Sequence, residues 1–182
     1  MVSDRKKEHH PPHIFINNAL YFVTARVYAK QSLLNTDQRK DLLLENISSE
    51  LKDFGFKLFA WVVLDNHYHI QFKTKIAKSL SQIFNNVHGR VSLELNRQDN
   101  ARGRKVFQNY WDVIVDEESS FWRHFNYIHH NPVKHGYCQN QNEVLSYKFC
   151  SYKQWVEKKG QEWMDSCFEN YPIADWTVSG EE

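Results

Sequence analysis

The chain has 182 residues, 41% hydrophobic and 15% aromatic, which suits one domain, or one domain with an appendage, around a real core. Its net charge is +1, but residues 1–115 balance at +6 and residues 116–182 at −5, so a polyanionic partner suits the first part only. Cys138, Cys150 and Cys167 are widely spaced with no C-x-x-C pair, which argues against a disulfide framework and for a reducing, cytoplasmic setting. The charged start MVSDRKKEHHPPH is no signal peptide, and no apolar run approaches the roughly 20 residues of a membrane helix.

Residues 1–13 read as a flexible basic lead-in, stiffened at Pro11 and Pro12, whose His9, His10 and His13 bind a metal only adventitiously. ALYFVTARV (19–27) is a strand. Residues 35–54 carry Leu43, Ile47, Leu51 and Phe54 at helical spacing, with Asn35 or Thr36 as N-cap and Gly55 as stop. FKLFAWVVL (56–64) is a strand, placed centrally because it is apolar on both faces. Asp65 and Asn66 make a turn, and HYHIQFKT (67–74) is the next strand. Residues 78–98 form a second amphipathic helix on Leu80, Ile83, Val87, Val91 and Leu95, weakened slightly by Gly89. NARGRK is a basic loop, and VFQNYWDVIV (106–115) a fourth strand. Asp116 caps a third helix that ends at Asn131, because proline at 132 disfavours helix just before it. The tail (132–182) is irregular, with one helix near SYKQWVEKKG, and packs on the body through Trp155, Trp163 and Trp176.

The order β-α-β-β-α-β-α-tail predicts an α+β fold. It is ferredoxin-like, a split βαβ arrangement with an antiparallel sheet and helices on one face. The tyrosine-bearing third helix and an aromatic tail follow. The body, residues 14–131, is the expected catalytic domain.

Chemistry concentrates in LDNHYHIQF. Side chains of a strand alternate, so His67 and His69 share one face and Tyr68 takes the other. On the third helix, Tyr127 and Asn131 are four apart, and His124 lies three before Tyr127, so the three share a side. That side is turned away from the docking stripe Phe121, Phe125 and Ile128. Placed opposite the histidines, it gives two imidazoles and an amide oxygen that suit a divalent cation: Mg²⁺ or Mn²⁺ by the oxygen donors, Zn²⁺ by the imidazoles. A free phenol is about one part in a thousand phenolate at neutral pH, so such a cation would assist it at a phosphate. A covalent phosphotyrosine conserves the bond and allows strands to be rejoined.

Alone, a His-x-His pair is more often structural, and Tyr127, one of nine tyrosines, more often packs; the combination carries the catalytic reading. His124 is read as a neighbour rather than a ligand. His88, His129 and His135 are placed on the surface or in loops. Arg90, Arg97, Arg102, Arg104 and Lys105 either solvate a helix face and a loop or track phosphates in a DNA groove, the reading favoured here. Tyr110, Trp111 and Trp122 are placed in the core, with base stacking as the alternative.

LDNHYHIQF resembles the Pro-Asn-His-hydrophobic-His segment of the single-tyrosine HUH transposases, and NYIHHNPVKHGY resembles their Tyr-Ile-x-x-Asn-Pro-Val segment. VFQNYWDVIVDEE and HIFINNALYFVTAR are similar as well, so the likeness covers roughly residues 11 to 155. It is nearest to the REP-associated tyrosine transposases. The resemblance implies His67 and His69 as metal ligands, Asn131 as the third and Tyr127 as nucleophile. It implies single-stranded DNA as substrate, often with a hairpin or repeat element, cleaved to a 5′-phosphotyrosine and a free 3′-OH. Relatives include monomers and dimers, so a homodimer is open. Two departures stand out: Asp65 replaces the usual proline and adds a charge near the metal, and Tyr68 is less apolar than usual. His130 is a competing ligand. A non-catalytic nucleic-acid binder is the alternative reading. A Zn²⁺ hydrolase lacks a carboxylate base.

Overall fold

The computed structural model describes residues 15–76 and 79–173; the lead-in with its histidines, and Trp176, lie outside them. Strand β1 (Leu20–Arg26) leads through a short 3-10 turn to helix α1 (Asp37–Asp53). The hairpin β2 (Lys57–Val63) and β3 (His67–Lys73) follows, then α2 (Leu80–Gln98), β4 (Trp111–Val115) and α3 (Glu118–Lys134). A 3-10 turn (Gln141–Ser146), α4 (Tyr152–Lys159) and α5 (Gln161–Asn170) complete the described chain. The sheet order is β2-β3-β1-β4 with antiparallel neighbours, as the split βαβ arrangement requires.

Local signals set the helix ends. The Thr36 side chain accepts the Arg39 N–H at the start of α1. Gly55 adopts φ +70° just after it, the left-handed conformation glycine takes without strain. Helices α1 and α2 bury Leu43, Ile47, Leu51, Ile83, Val87 and Val91 against Tyr21, Val23, Tyr68, Ile70 and Phe72 of one sheet face. Helix α3 covers the opposite face, where Phe125, Tyr127 and Ile128 meet Phe22, Val62 and Leu64.

Four expectations change. First, β2 is an edge strand, not a central one. It is apolar on both faces because α1 and α2 cover Trp61 and Val63 while α3 and the tail cover Ala60 and Val62; the tail also pairs with its outer edge, where the Val63 N–H donates to Phe149 O, and the Ser151 N–H to Trp61 O, both at 2.9 Å. Second, β4 is only Trp111–Val115. Residues 106–110 instead join the end of β1, through Tyr28 N–H to Val106 O (2.7 Å) and Gln108 N–H to Arg26 O (2.8 Å). Third, α3 begins after Glu117, not Asp116, and runs through Pro132 to Lys134. The turn survives because His135 N–H still bonds Asn131 O at 3.0 Å, and Gly136 N–H bonds Val133 O with φ +75°. Fourth, the described part of the tail is largely helical. Asn126 of α3 holds α5 by donating its amide to the carbonyls of Cys167 (2.7 Å) and Tyr171 (2.8 Å).

Candidate active site

Strand alternation puts Phe22, Thr24 and Arg26 of β1 beside Gln71, His69 and His67 of β3, on the face covered by α3. His69 is fully buried and His67 is 7% exposed; their ring centroids are 5.1 Å apart. Each imidazole is anchored through Nδ1. His69 Nδ1 meets the Thr24 hydroxyl at 2.8 Å. His67 Nδ1 donates to Asn66 Oδ1 at 2.6 Å, and Asn66 is itself oriented because its amide donates to Lys30 O at 3.3 Å.

Asn131 enters from α3 and is fully buried. Its amide nitrogen donates to Tyr127 O at 3.1 Å, which turns Oδ1 toward His67 Nε2 at 3.4 Å. With Nδ1 of His67 protonated toward Asn66, Nε2 of the neutral ring carries a lone pair. In that tautomer Nε2 and Oδ1 both present lone pairs, an arrangement that suits a cation. The donor set fits a divalent metal: two imidazoles with anchored Nδ1 atoms and one amide oxygen. Among the described residues no group of three His, Cys, Asp or Glu side chains could hold a metal; the further oxygen beside the histidine pair is the Asn131 amide.

Tyr127 lies over this centre, 3% exposed, with its ring 5.4 Å from that of His69. The helix side that bears it faces the sheet rather than away from the packing, because α3 is buried on both sides, by the sheet and by the tail. Lys134 Nζ donates to Tyr127 Oη at 2.9 Å. Ending the helix at Asn131 hid this lysine, seven residues after the tyrosine and so on the same side, two turns on. Arg26, directly opposite His67, was hidden because strand register cannot be read from the sequence.

The other histidines divide by role. His124 packs on Phe22 at 4.5 Å, and Nδ1 donates to Ser120 O at 2.8 Å. Burial, with His69 nearby, pushes its pKa down to about 4 against the raising pull of that carbonyl, so it is a neutral neighbour. His129 is fully buried rather than on the surface, with Nε2 on the Ser151 hydroxyl at 2.8 Å, and burial holds its pKa down to about 3. His135 is exposed at the end of α3, its ring 4.7 Å from that of His67. His130 meets Gln141 Oε1 through Nδ1 at 3.2 Å. His88 is half-buried against Phe107, its Nε2 on the Tyr68 hydroxyl at 2.8 Å. Asp65 forms an ion pair with the buried Lys40 at 2.7 Å, which offsets its charge.

The basic residues lie on α2 and the following loop, across the sheet from the histidine pair. Arg90 pairs with Glu50 (2.5 Å), Arg97 with Glu94 (2.8 Å) and Arg104 with Asp99 (2.7 Å). Arg102 and Lys105 are exposed, and the Lys105 ammonium sits 4.8 Å from the centre of the Tyr28 ring. Tyr110 is buried against Phe84, with ring centroids 4.3 Å apart, while Trp111 and Trp122 are half-buried.

Comparison with known proteins places the chain in a family. The family described as "Transposase IS200 like" matches residues 16–131. A REP-associated tyrosine transposase of Escherichia coli (strain K12) is 27% identical over 147 residues, covering 79% of this chain and 82% of that protein. The solved structure of a REP-associated tyrosine transposase bound to a REP hairpin superposes with a TM-score of 0.67 at 22% identity, covering 96% of this chain and 94% of that one; at that identity it shows the shared fold. Since the family match spans well over half of the chain, the chain belongs to the IS200-like transposases, the single-tyrosine HUH family of DNA strand transferases.

Proposed function

We propose that the chain is a metal-dependent single-stranded DNA endonuclease and strand transferase that cleaves beside hairpins through a 5′-phosphotyrosine and rejoins the strands. The convergence of His67 Nε2 and Asn131 Oδ1 beneath Tyr127 carries the reading. A divalent cation, Mg²⁺ or Mn²⁺, held by His67, His69 and Asn131, would supply Lewis-acid polarisation of the scissile phosphate. Tyr127 Oη attacks phosphorus and the P–O3′ bond breaks. The electron pair leaves on the 3′ oxygen, which takes a proton from solvent, while the phenol proton passes to solvent. The Lys134 ammonium keeps its proton and places a positive charge at Oη, stabilising it as it attacks and again as it leaves on rejoining. Thr24 and Asn66 fix the imidazoles before substrate arrives. Burial of Tyr127 limits competing attack by water. The resemblance to a protein solved on a REP hairpin supports a folded-back single strand as substrate.

The test uses 3′-end-labelled single-stranded hairpins from the repeats flanking the gene, on a denaturing gel, with Mg²⁺, Mn²⁺ or EDTA. The wild type is expected to give a metal-dependent, protein-linked band. Tyr127→Phe should lose it entirely while still binding the hairpin. Cleavage surviving in Tyr127→Phe would move the nucleophile elsewhere; binding without cleavage by the wild type would leave only the nucleic-acid binder.

A further inference from the structure

A cleft of about 490 Å³ between α2 and the segment after it takes no part in the chemistry above. Asn85, Gly89 and Ser92 line it from the helix, and Arg104, Lys105 and Gln108 from the other side. Gly89 has no structural reason to be glycine. It lies inside α2 without a positive φ, and a Cβ there would meet nothing within 4 Å. After proline, glycine is the least favourable residue in a helix interior. What it provides is bare backbone on the wall of the cleft, where a flat group can approach closely.

The remaining walls have matching chemistry. Asn85 and Gln108 bring amides, each both donor and acceptor, as the edges of nucleobases require. The Arg104 guanidinium is held in place by Asp99 at 2.7 Å and by Asn96 Oδ1 at 2.9 Å. Beneath them His88 stacks on Phe107, centroids 4.3 Å apart and planes 14° from parallel. The cleft is also tied to the active site. The Gln108 N–H bonds Arg26 O at 2.8 Å, and Arg26 stands opposite His67 in the β1–β3 register. In the plane of the sheet the Gln108 backbone is therefore about two strand spacings, roughly 10 Å, from that of His67, with the cleft on the α2 side and the imidazoles on the α3 side.

We propose that this cleft binds an unpaired nucleobase of the DNA that the chain holds. Asn85 and Gln108 read its edge, Gly89 admits it against the helix, and Arg104 and Lys105 hold its phosphates. The proposal rests on the strand-transfer reading above and adds the base-binding subsite to it.

Fluorescence anisotropy on the full chain tests it, using a labelled hairpin oligonucleotide from the flanking repeats and a series with an abasic nucleotide at each unpaired position in turn. Wild type should lose affinity about tenfold at one abasic position. Gly89→Leu, which fills the cleft, should bind the intact oligonucleotide about tenfold more weakly and lose nothing further at that position. The double variant Asn85→Ala/Gln108→Ala should behave likewise, which guards against a folding defect in Gly89→Leu. Gly89→Ala should melt higher than wild type, showing that the fold does not need this glycine. Variants that bind the intact oligonucleotide as wild type does, or that remain as sensitive as wild type to that abasic position, would overturn the proposal alone. A folded wild type that binds no DNA would overturn the strand-transfer reading with it.

Discussion

The two faces of the sheet are buried alike and differ in kind. Toward α1 and α2, strands β1 and β3 send Tyr21, Val23, Ala25, Tyr68, Ile70 and Phe72; toward α3 they send Phe22, Thr24, His67, His69 and Gln71. On the first face burial stabilises through apolar area, at about 25 cal/mol per Å². On the second, burying polar atoms costs free energy that hydrogen bonds must offset. Thr24, Asn66 and Asn131 provide such bonds, and Gln71 gives its amide to Phe121 O at 3.0 Å. A face built only for stability would be apolar. This one keeps imidazoles at an energetic cost, which a chemical task explains.

Substitutions on the two faces should separate stability from activity. Phe72→Ala, on the apolar face, should cost about 3–5 kcal/mol in denaturant unfolding. His69→Gln, three residues away in sequence and so pointing the other way, should shift the midpoint far less while removing the DNA adduct. A similar loss of stability in both would erase the distinction between the faces. Next in size is Lys134→Met. Removing the donor to Tyr127 Oη should slow adduct formation about a hundredfold, with hairpin affinity and melting temperature nearly unchanged. Lys134→Arg should recover most of the rate, and an unchanged rate in Lys134→Met would assign the lysine to packing.

The apolar side adds a pH dependence. Burial holds the His88 pKa down to about 3, whereas the unfolded chain takes up that proton near pH 6.5. The folded state is therefore the poorer proton acceptor. This contribution to stability is full above about pH 6.5 and falls, by up to about 1.4 kcal/mol per pH unit, as pH drops toward 3. Melting curves from pH 7 to 4 should be flatter for His88→Gln than for wild type. Parallel curves would mean that His88 does not drive the acid sensitivity.

The parts legible in the sequence were those governed by local periodicity. Alternation along HYHIQF paired the histidines, helical spacing paired Tyr127 with Asn131, and the element order supplied the sheet. What escaped depended on distant partners. Glu50 and Arg90 are 40 residues apart in the sequence, so nothing local showed that the arginine forms an ion pair within the chain. Strand β2 read as central because both its faces are apolar, and its outer edge is paired by residues 149–151, far along the chain. Lys134 was lost to a rule about proline that the C-terminal turn of α3 overrides. Helix α5 was different, because Met164, Cys167 and Phe168 repeat at helical spacing and the signal was available.

The most direct measurement of the central claim is mass spectrometry of the DNA-linked protein after nuclease and trypsin treatment. The account predicts a phosphonucleotide on the peptide His124–Lys134, in which Tyr127 is the single tyrosine. An adduct on any other peptide would contradict the placement of the nucleophile on α3 above His67 and His69.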